Sequence, residues 1–411
     1  MKFFINSYFG DNQSIGLLSH IKKRLPYGMD DQWMVFSHYT ERGWTVDNLW
    51  HIFTDFYGGQ YAPLAFLSYL VLYAGFGYDP FYFHMFSLLL HIGCVCLVWK
   101  LISSLLRVHG GVSEKQILYV NFITTLLFAV HPINVEAVAW ISALKVLLYA
   151  FFYLLGLLCY LRYIRTSKIF YYVLTIGCFL CSFWGKEQAV TFPLALLIVD
   201  WFTNRNMKNL EGWSEKMSFL IMAFFFGIIT VLSQGKGPYE MIFPLYQRLL
   251  FGCFALVEYI TKSLLPVNLN FFYPFPIVLG EEPPLHYYLY PVVLLFLMGW
   301  IIAYRNNRYL VFGVLLFLVN LLFSIHLFNM SRHAIVADRY MYLSYVGIAF
   351  LIANGIWWLR KRLSYFKAAL VFLFFYCFFL SVYTFHYTKK RENTTMVKKY
   401  TKEVLEKRLN G

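Results

Sequence analysis

Charge is scarce in this sequence. Of 411 residues only 14% are Asp, Glu, Lys or Arg, against 60% hydrophobic and 21% aromatic. A soluble domain carries about 25% charged residues, so there is too little polar surface here to cover a water-soluble particle of this size. Disulfide chemistry is missing as well. The seven cysteines, Cys94, Cys96, Cys159, Cys178, Cys181, Cys253 and Cys377, all lie inside apolar runs and read as small buried hydrophobes. Cys178-Phe-Leu-Cys181 fits a CxxC spacing, but at lipid depth the ordinary reading is packing and not redox or zinc chemistry. No Walker loop, HxxxH pair, Ser-His-Asp spacing or metal box is present, which leaves P-loop, zinc-protease and serine-hydrolase chemistry without support. The first 25 residues are short apolar pieces broken by Lys2, Asp11, His20 and Lys22-Lys23-Arg24, and make neither a spanning helix nor a signal peptide. Repeats, low-complexity runs and a separate soluble domain are lacking too.

What the sequence does have is apolar runs of roughly 18 residues or more, the length that crosses about 30 Å of hydrocarbon. They fall near 82–106, 116–131, 146–164, 169–185, 188–203, 217–233, 285–304, 309–328, 341–359 and 368–386. Residues 61–78 and 244–266 are apolar but broken by Pro or charge, and are expected to re-enter or lie along the membrane. The expected fold is an all-α polytopic membrane protein of about 10–12 spanning helices with one re-entrant or interfacial helix. Residues 1–60 form an N-terminal segment with an acidic first loop, 61–388 the transmembrane domain and 389–411 a charged tail.

The net charge of +14 does not point to nucleic acid, because most Lys and Arg sit in short loops between apolar runs. Arg107/Lys115, Arg162/Arg165/Lys168, Arg205/Lys208/Lys216, Arg305/Arg308 and Arg360–Arg362/Lys367 mark one face as cytoplasmic. Lys22–Arg24 and the basic tail run against that rule. The opposite face receives 26–60, 131–145, 185–188, 234–243, 267–284 and 329–340.

Ionisable groups in a bilayer are costly and usually line a cavity. Here they gather on that opposite face: Asp30 and Asp31, His131 with Glu136, Lys145, Lys186 with Glu187, and Arg332-His333 with Asp338-Arg339. Five segments would then supply carboxylates for acid–base work and cations for an anionic group at one membrane edge. Structural alternatives stand beside each. Glu187 could pair with Lys186, Asp338 with Arg339, and His131 before Pro132 could end its helix. Asp200, beside a basic loop, and the i,i+4 couple Glu258/Lys262 read as structural.

Several motifs resemble one membrane family in order. They are Tyr61-Ala-Pro-Leu64, Gly77-Tyr-Asp-Pro80, His84 and His91, then Phe128-Ala-Val-His-Pro-Ile-Asn-Val-Glu-Ala-Val-Ala-Trp140. Lys186-Glu187 with Thr191 and Pro193, and Ala337-Asp-Arg-Tyr-Met-Tyr-Leu343, continue the match. Over about residues 27–400 the chain resembles the bacterial relatives of the transmembrane and TPR-containing protein O-mannosyltransferases, within the GT-C glycosyltransferases. The resemblance implies a GT-C-like bundle and an inverting transferase that uses a polyprenyl-phosphate sugar on the periplasmic or lumenal side of the membrane. It implies that an acid of the first external loop, Asp31 or Asp30, takes the acceptor's proton. Lys145, Lys186 and Arg339 would hold the donor phosphate, with His131, Glu136, Glu187, Arg332 and Tyr340 orienting substrates. The partners implied are the lipid-linked sugar, a protein or glycan acceptor and membrane lipids. A monophosphate leaving group held by cations requires no metal or other cofactor. The chain departs from the family in three ways. No convincing span precedes the acidic loop, Leu144-Lys145-Val146 stands where the family often reads Arg-Lys-Asp, and no TPR repeats follow the last span. A lipid-linked sugar transporter and an inactive scaffold are the competing readings; a transporter should show inverted repeats and midplane charges.

Overall fold

The computed structural model describes residues 31–205, 210–234, 243–270, 272–327 and 334–392. Asp30, Arg332 and His333 lie outside the described residues. Short helices open the chain: α1 (Asp31–Met34), α2 (His38–Glu41) and α3 (Val46–Thr54). The apolar helices follow as α4 (Pro63–Phe76), α5 (Pro80–His109), α6 (Glu114–Val130), α7 (Val135–Ala139), α8 (Leu144–Thr166), α9 (Ile169–Gly185) and α10 (Phe192–Phe202). Next come α11 (Leu210–Gln234), α12 (Leu245–Leu264), α13 (Leu289–Ala303), α14 (Arg308–Leu321), α15 (Met341–Trp358) and α16 (Leu363–Glu392). A two-stranded antiparallel pair, Tyr273–Pro274 with Ala334–Val336, is the sheet among the described residues.

The chain is an all-α polytopic membrane protein. Six helical stretches are long and apolar enough to cross a bilayer: Pro80–His109, Ile141–Thr166, Gly212–Ser233, Leu285–Ala303, Asp338–Lys361 and Leu363–Lys389. A seventh is the bent pair Glu114–Val130 and Pro132–Ala139, which turns by 50°. The remaining apolar runs make shorter helices. Run 188–203 starts as a 3-10 turn, Glu187–Thr191, so that α-helix begins only at Phe192, with Pro193 in its first turn. Pro63 likewise opens α4 and does not break it, because the first helical position needs no backbone donor. The 244–266 run is one continuous amphipathic helix, α12. It buries Leu250, Phe251, Ala255, Tyr259 and Lys262 on one side and carries Arg248 and Glu258, and it is not among the spanning candidates.

α8 is the centre of the bundle, packed along α5 and α9, while α15 packs along α6 and α14. Three tyrosines of α8 are wholly buried, and each hydroxyl is placed. Tyr149 Oη donates to Asn320 Oδ1 (3.2 Å), Tyr153 meets Thr191 (3.4 Å) and Tyr160 donates to Asp200 (2.8 Å). At the periphery α16 exposes Phe372, Phe374, Phe375 and Phe378, and α13 buries no residue at all. Such faces belong against hydrocarbon.

The basic loops share one end of the bundle. There Asp200, fully buried, takes Tyr160 and Lys216, and Arg205 makes two bonds to Glu215 (2.7 and 2.9 Å). His109 reaches Phe202 O (2.8 Å) and Arg308 donates to Trp201 O, tying α5, α10 and α14 together. Asp200 thus joins α8, α10 and α11 at the basic end.

Between α14 and α15 the backbones touch. A Cβ built on Gly347 would lie 2.5 Å from Gly313 O and 2.7 Å from Phe317 N, whereas one on Gly355, in the same helix, meets nothing within 4 Å. Gly347→Val is therefore expected to cost at least about 1–3 kcal/mol through forced helix separation, and Gly355→Val far less. Melting of the detergent-solubilised protein, followed by size exclusion, checks this; equal midpoints for the two variants would refute the close contact.

Candidate active site

Three long elements meet at the end opposite the basic loops: α8 and α15 start there and α9 finishes there. The bend after α6 is what delivers the first carboxylate. His131 ends α6 and caps the following 3-10 turn, its Nδ1 accepting from Ile133 N–H (3.2 Å) while its ring lies 4.2 Å from that of Tyr345. Pro132 cannot continue the ladder, and the chain turns back into α7. This places Glu136 inside the protein, 1% exposed.

Glu136 meets Arg339 twice. Its Oε1 accepts from Arg339 Nη1 and its Oε2 from the Arg339 backbone N–H, both at 2.7 Å. The guanidinium lies over the rings of Trp140 (5.3 Å) and Tyr340 (5.1 Å), and the Lys186 ammonium over Tyr340 (4.6 Å). Asp338 Oδ1 accepts from Tyr273 Oη (3.0 Å). Burial and the Asp338 carboxylate push the Tyr273 phenol well above its usual range, so it stays a donor. Lys262, 4.5 Å from that ring, pairs with Glu258 at 3.0 Å.

The first loop supplies the other half. Beneath it, Met34, Val35 and Tyr39 pack with Tyr69, Ile141, Leu144 and Leu148 in an apolar cluster of their own. Asp31, 5% exposed, accepts on Oδ1 from the Ser142 backbone N–H (2.9 Å) and from the Ser142 hydroxyl. The loop's other described acids are held differently. Glu41 takes Tyr78 (3.1 Å), Asp55 takes Tyr39 (3.0 Å) and His51 (3.0 Å), and Asp47 is exposed beside His51. Asp31 is thus the one described loop acid bonded to the turn that opens α8.

Lys145 lies one turn further along. Its contacts include Gln60 Oε1 and Met34 Sδ (3.8 Å), both from the first loop. Gln60 is presented by a two-residue turn at Gly58-Gly59, both at positive φ (59° and 72°), closed by reciprocal Tyr57–Gln60 bonds at 3.1 Å. A side chain on Gly58 would also strike the Trp33 ring, 2.5 Å away. Leu144 and Val146, the apolar neighbours of Lys145 in the chain, are buried.

Of the residues expected at the site, Glu136, Lys186, Arg339 and Tyr340 share direct contacts, and Asp31 and Lys145 share the 142–145 turn. His131 sits in the bend. Glu187 is half-buried at the start of the 3-10 turn. Asp30 and Arg332 lie outside the described residues. Ser142, Gln60 and Tyr273 were not read from the sequence. Only the Gly-Gly pair before Gln60 carries a local signal; Ser142 and Tyr273 are recognisable solely through what they touch. Among the described residues no three His, Cys, Asp or Glu side chains come together as a metal site requires.

The comparisons with known proteins agree in direction. The chain is 33% identical over 185 residues to Protein O-mannosyl-transferase TMTC2 of Mus musculus, covering 41% of this chain and 20% of that protein. It is 31% identical over 167 residues to Protein O-mannosyl-transferase TMTC4 of Homo sapiens, covering 36% and 22%. It is 28% identical over 171 residues to Protein O-mannosyl-transferase Tmtc3 of Drosophila melanogaster, covering 37% and 18%. The matched stretches span about a fifth of the length of these relatives. No family model and no solved structure matches.

Removing one partner of the Glu136–Arg339 pair strands the other in a buried place. Arg339→Met is expected to destabilise the protein by about 3 kcal/mol, and adding Glu136→Gln to recover part of that loss. Melting midpoints of the two singles and the double form the cycle; strictly additive losses would show that the pair is not coupled.

Proposed function

We propose that the chain is a glycosyltransferase that moves a sugar from a polyprenyl-phosphate donor to a hydroxyl of a protein or glycan acceptor on the extracytoplasmic face. The observation that carries this reading is the gathering of Asp31, Lys145, Lys186, Arg339 and Glu136 at the end of the bundle away from the basic loops. The similarity to proteins named O-mannosyl-transferases points the same way. Loop charge supports the orientation, since the basic end is the one expected in the cytoplasm.

The chemistry follows from the residues. Asp31 takes the proton of the acceptor hydroxyl as its oxygen bonds to the anomeric carbon. The bond from that carbon to the phosphate oxygen breaks on the far side, and the electron pair leaves with the polyprenyl phosphate. Attack opposite the leaving group inverts the configuration. Lys145, Lys186 and Arg339 stabilise the added charge on the phosphate. Lys145 and Arg339 stand at the starts of α8 and α15, where helix dipoles already favour an anion. A cation in the first turn of a helix opposes that dipole, so Lys145 is placed at a cost that an anionic ligand would offset. Glu136 fixes Arg339, and Tyr340 lies between Arg339 and Lys186. No step in this scheme runs through a metal.

Asp31→Asn is expected to lower transfer from labelled polyprenyl-phosphate hexose at least about 100-fold in membranes that still contain the inserted protein. Lys145→Ala and Lys186→Ala are expected to raise the donor KM. Full activity of Asp31→Asn would remove Asp31 as the base. No transfer by the parent protein, over a panel of hexoses and acceptors, would favour a lipid-linked sugar carrier or a scaffold.

A further inference from the structure

Ser142 alone supplies two donors to Asp31. Ser142 gives its backbone N–H at 2.9 Å and its hydroxyl to the same carboxylate oxygen, Oδ1. Asp31 and Ser142 are 5% and 1% exposed, so water does not compete for these bonds. Asp31 opens the described part of the first loop, in the helical turn Asp31–Met34. Ser142 sits in the 3-10 turn Ile141–Ala143, which is anchored independently: Tyr69 Oη of α4 donates to Ile141 O (2.9 Å), and Leu144 begins α8 directly after it. The turn is the fixed part and the carboxylate the part that is held.

We infer that Ser142 is the positioning residue for the base: its hydroxyl and N–H set the rotation of the Asp31 carboxylate, and so the direction from which an acceptor proton can be taken. The inference rests on Asp31 being the base. A second donor reaching Oδ1 from a different direction narrows the swing that a single hydrogen bond would allow. Lys145 follows three residues later, in the first turn of α8 that continues from this 3-10 turn, so one local structure sets base and phosphate cation against each other. Ser142 touches Asp31 and is assigned no contact with either substrate.

The test is steady-state transfer in membranes by the parent, Ser142→Ala, Ser142→Thr and Asp31→Asn. Ser142→Ala removes the hydroxyl and keeps the N–H bond, so kcat should fall about 10- to 100-fold, less than for Asp31→Asn, with the donor KM within about twofold. Ser142→Thr restores a hydroxyl and should recover most of the loss. A rise in donor KM equal to the fall in kcat would mean the whole 141–145 turn has moved and taken Lys145 with it, which overturns a positioning role. Unchanged kcat in Ser142→Ala, or equal loss in Ala and Thr, overturns it as well while leaving Asp31 as the base. An active Asp31→Asn overturns both. If Ser142→Ala fails to accumulate, Ser142→Cys, a weaker donor of nearly the same size, should show the same kcat loss at constant KM; parental kcat there refutes the inference.

Discussion

The buried contact between Glu136 and Arg339 is the constraint from which the rest of this end of the molecule follows. A carboxylate at 1% exposure must be met by donors, and both of its oxygens are met by one residue, through the side chain and the main chain. The main-chain bond matters as much as the ion pair. It pins the Asp338–Tyr340 turn against α7, and α15 departs from that turn. Once Arg339 is fixed, Asp338 faces Tyr273 on one side and Tyr340 faces Lys186 on the other. The pair reaches α7 only because α6 bends at His131-Pro132. A straight α6 would carry Glu136 on along its own axis, away from the turn that opens α15.

The architecture was legible where composition alone decides it. Apolar runs of bilayer length become helices, and basic loops collect at one end. Helix lengths were less legible, because they turn on local geometry that hydropathy does not register. The 188–203 run looks like a span, yet Lys186-Glu187 begins a 3-10 turn and Pro193 starts the helix late. α12 is apolar enough to suggest the membrane, but Arg248, Glu258 and Lys262 make it a one-sided helix whose inner face carries Lys262 to the Tyr273 ring.

At the site, charged residues announced themselves because charge is rare in this chain. Neutral partners did not. Ser142, Gln60 and Tyr273 are ordinary residues among many of their kind, and their importance lies in long-range contacts: 111 residues from Ser142 to Asp31 and 85 from Gln60 to Lys145. The adjacency Asp338-Arg339 suggested a local pair, and the fold takes Asp338 to Tyr273 and Arg339 to Glu136. Each side chain has a better partner from another element, and side chains at adjacent helical positions point apart.

Helix lengths also say at what level the cations stand. α9 has 17 residues, about 26 Å of helix, and runs from the basic end to Lys186. The return path is a five-residue 3-10 turn and the 11-residue α10, about 27 Å together. Both paths are near the thickness of the hydrocarbon layer, about 30 Å, which in the proposed orientation would bring Lys186 close to its edge. α8 has 23 residues, about 35 Å, with Lys145 in its first turn and the Ser142 turn directly before it. A group at the boundary between lipid and water would meet Lys186 from the membrane and Asp31 from the aqueous side. In the proposed reaction a lipid phosphate would be anchored at that boundary by its own chain, while a hydrophilic acceptor would approach from water.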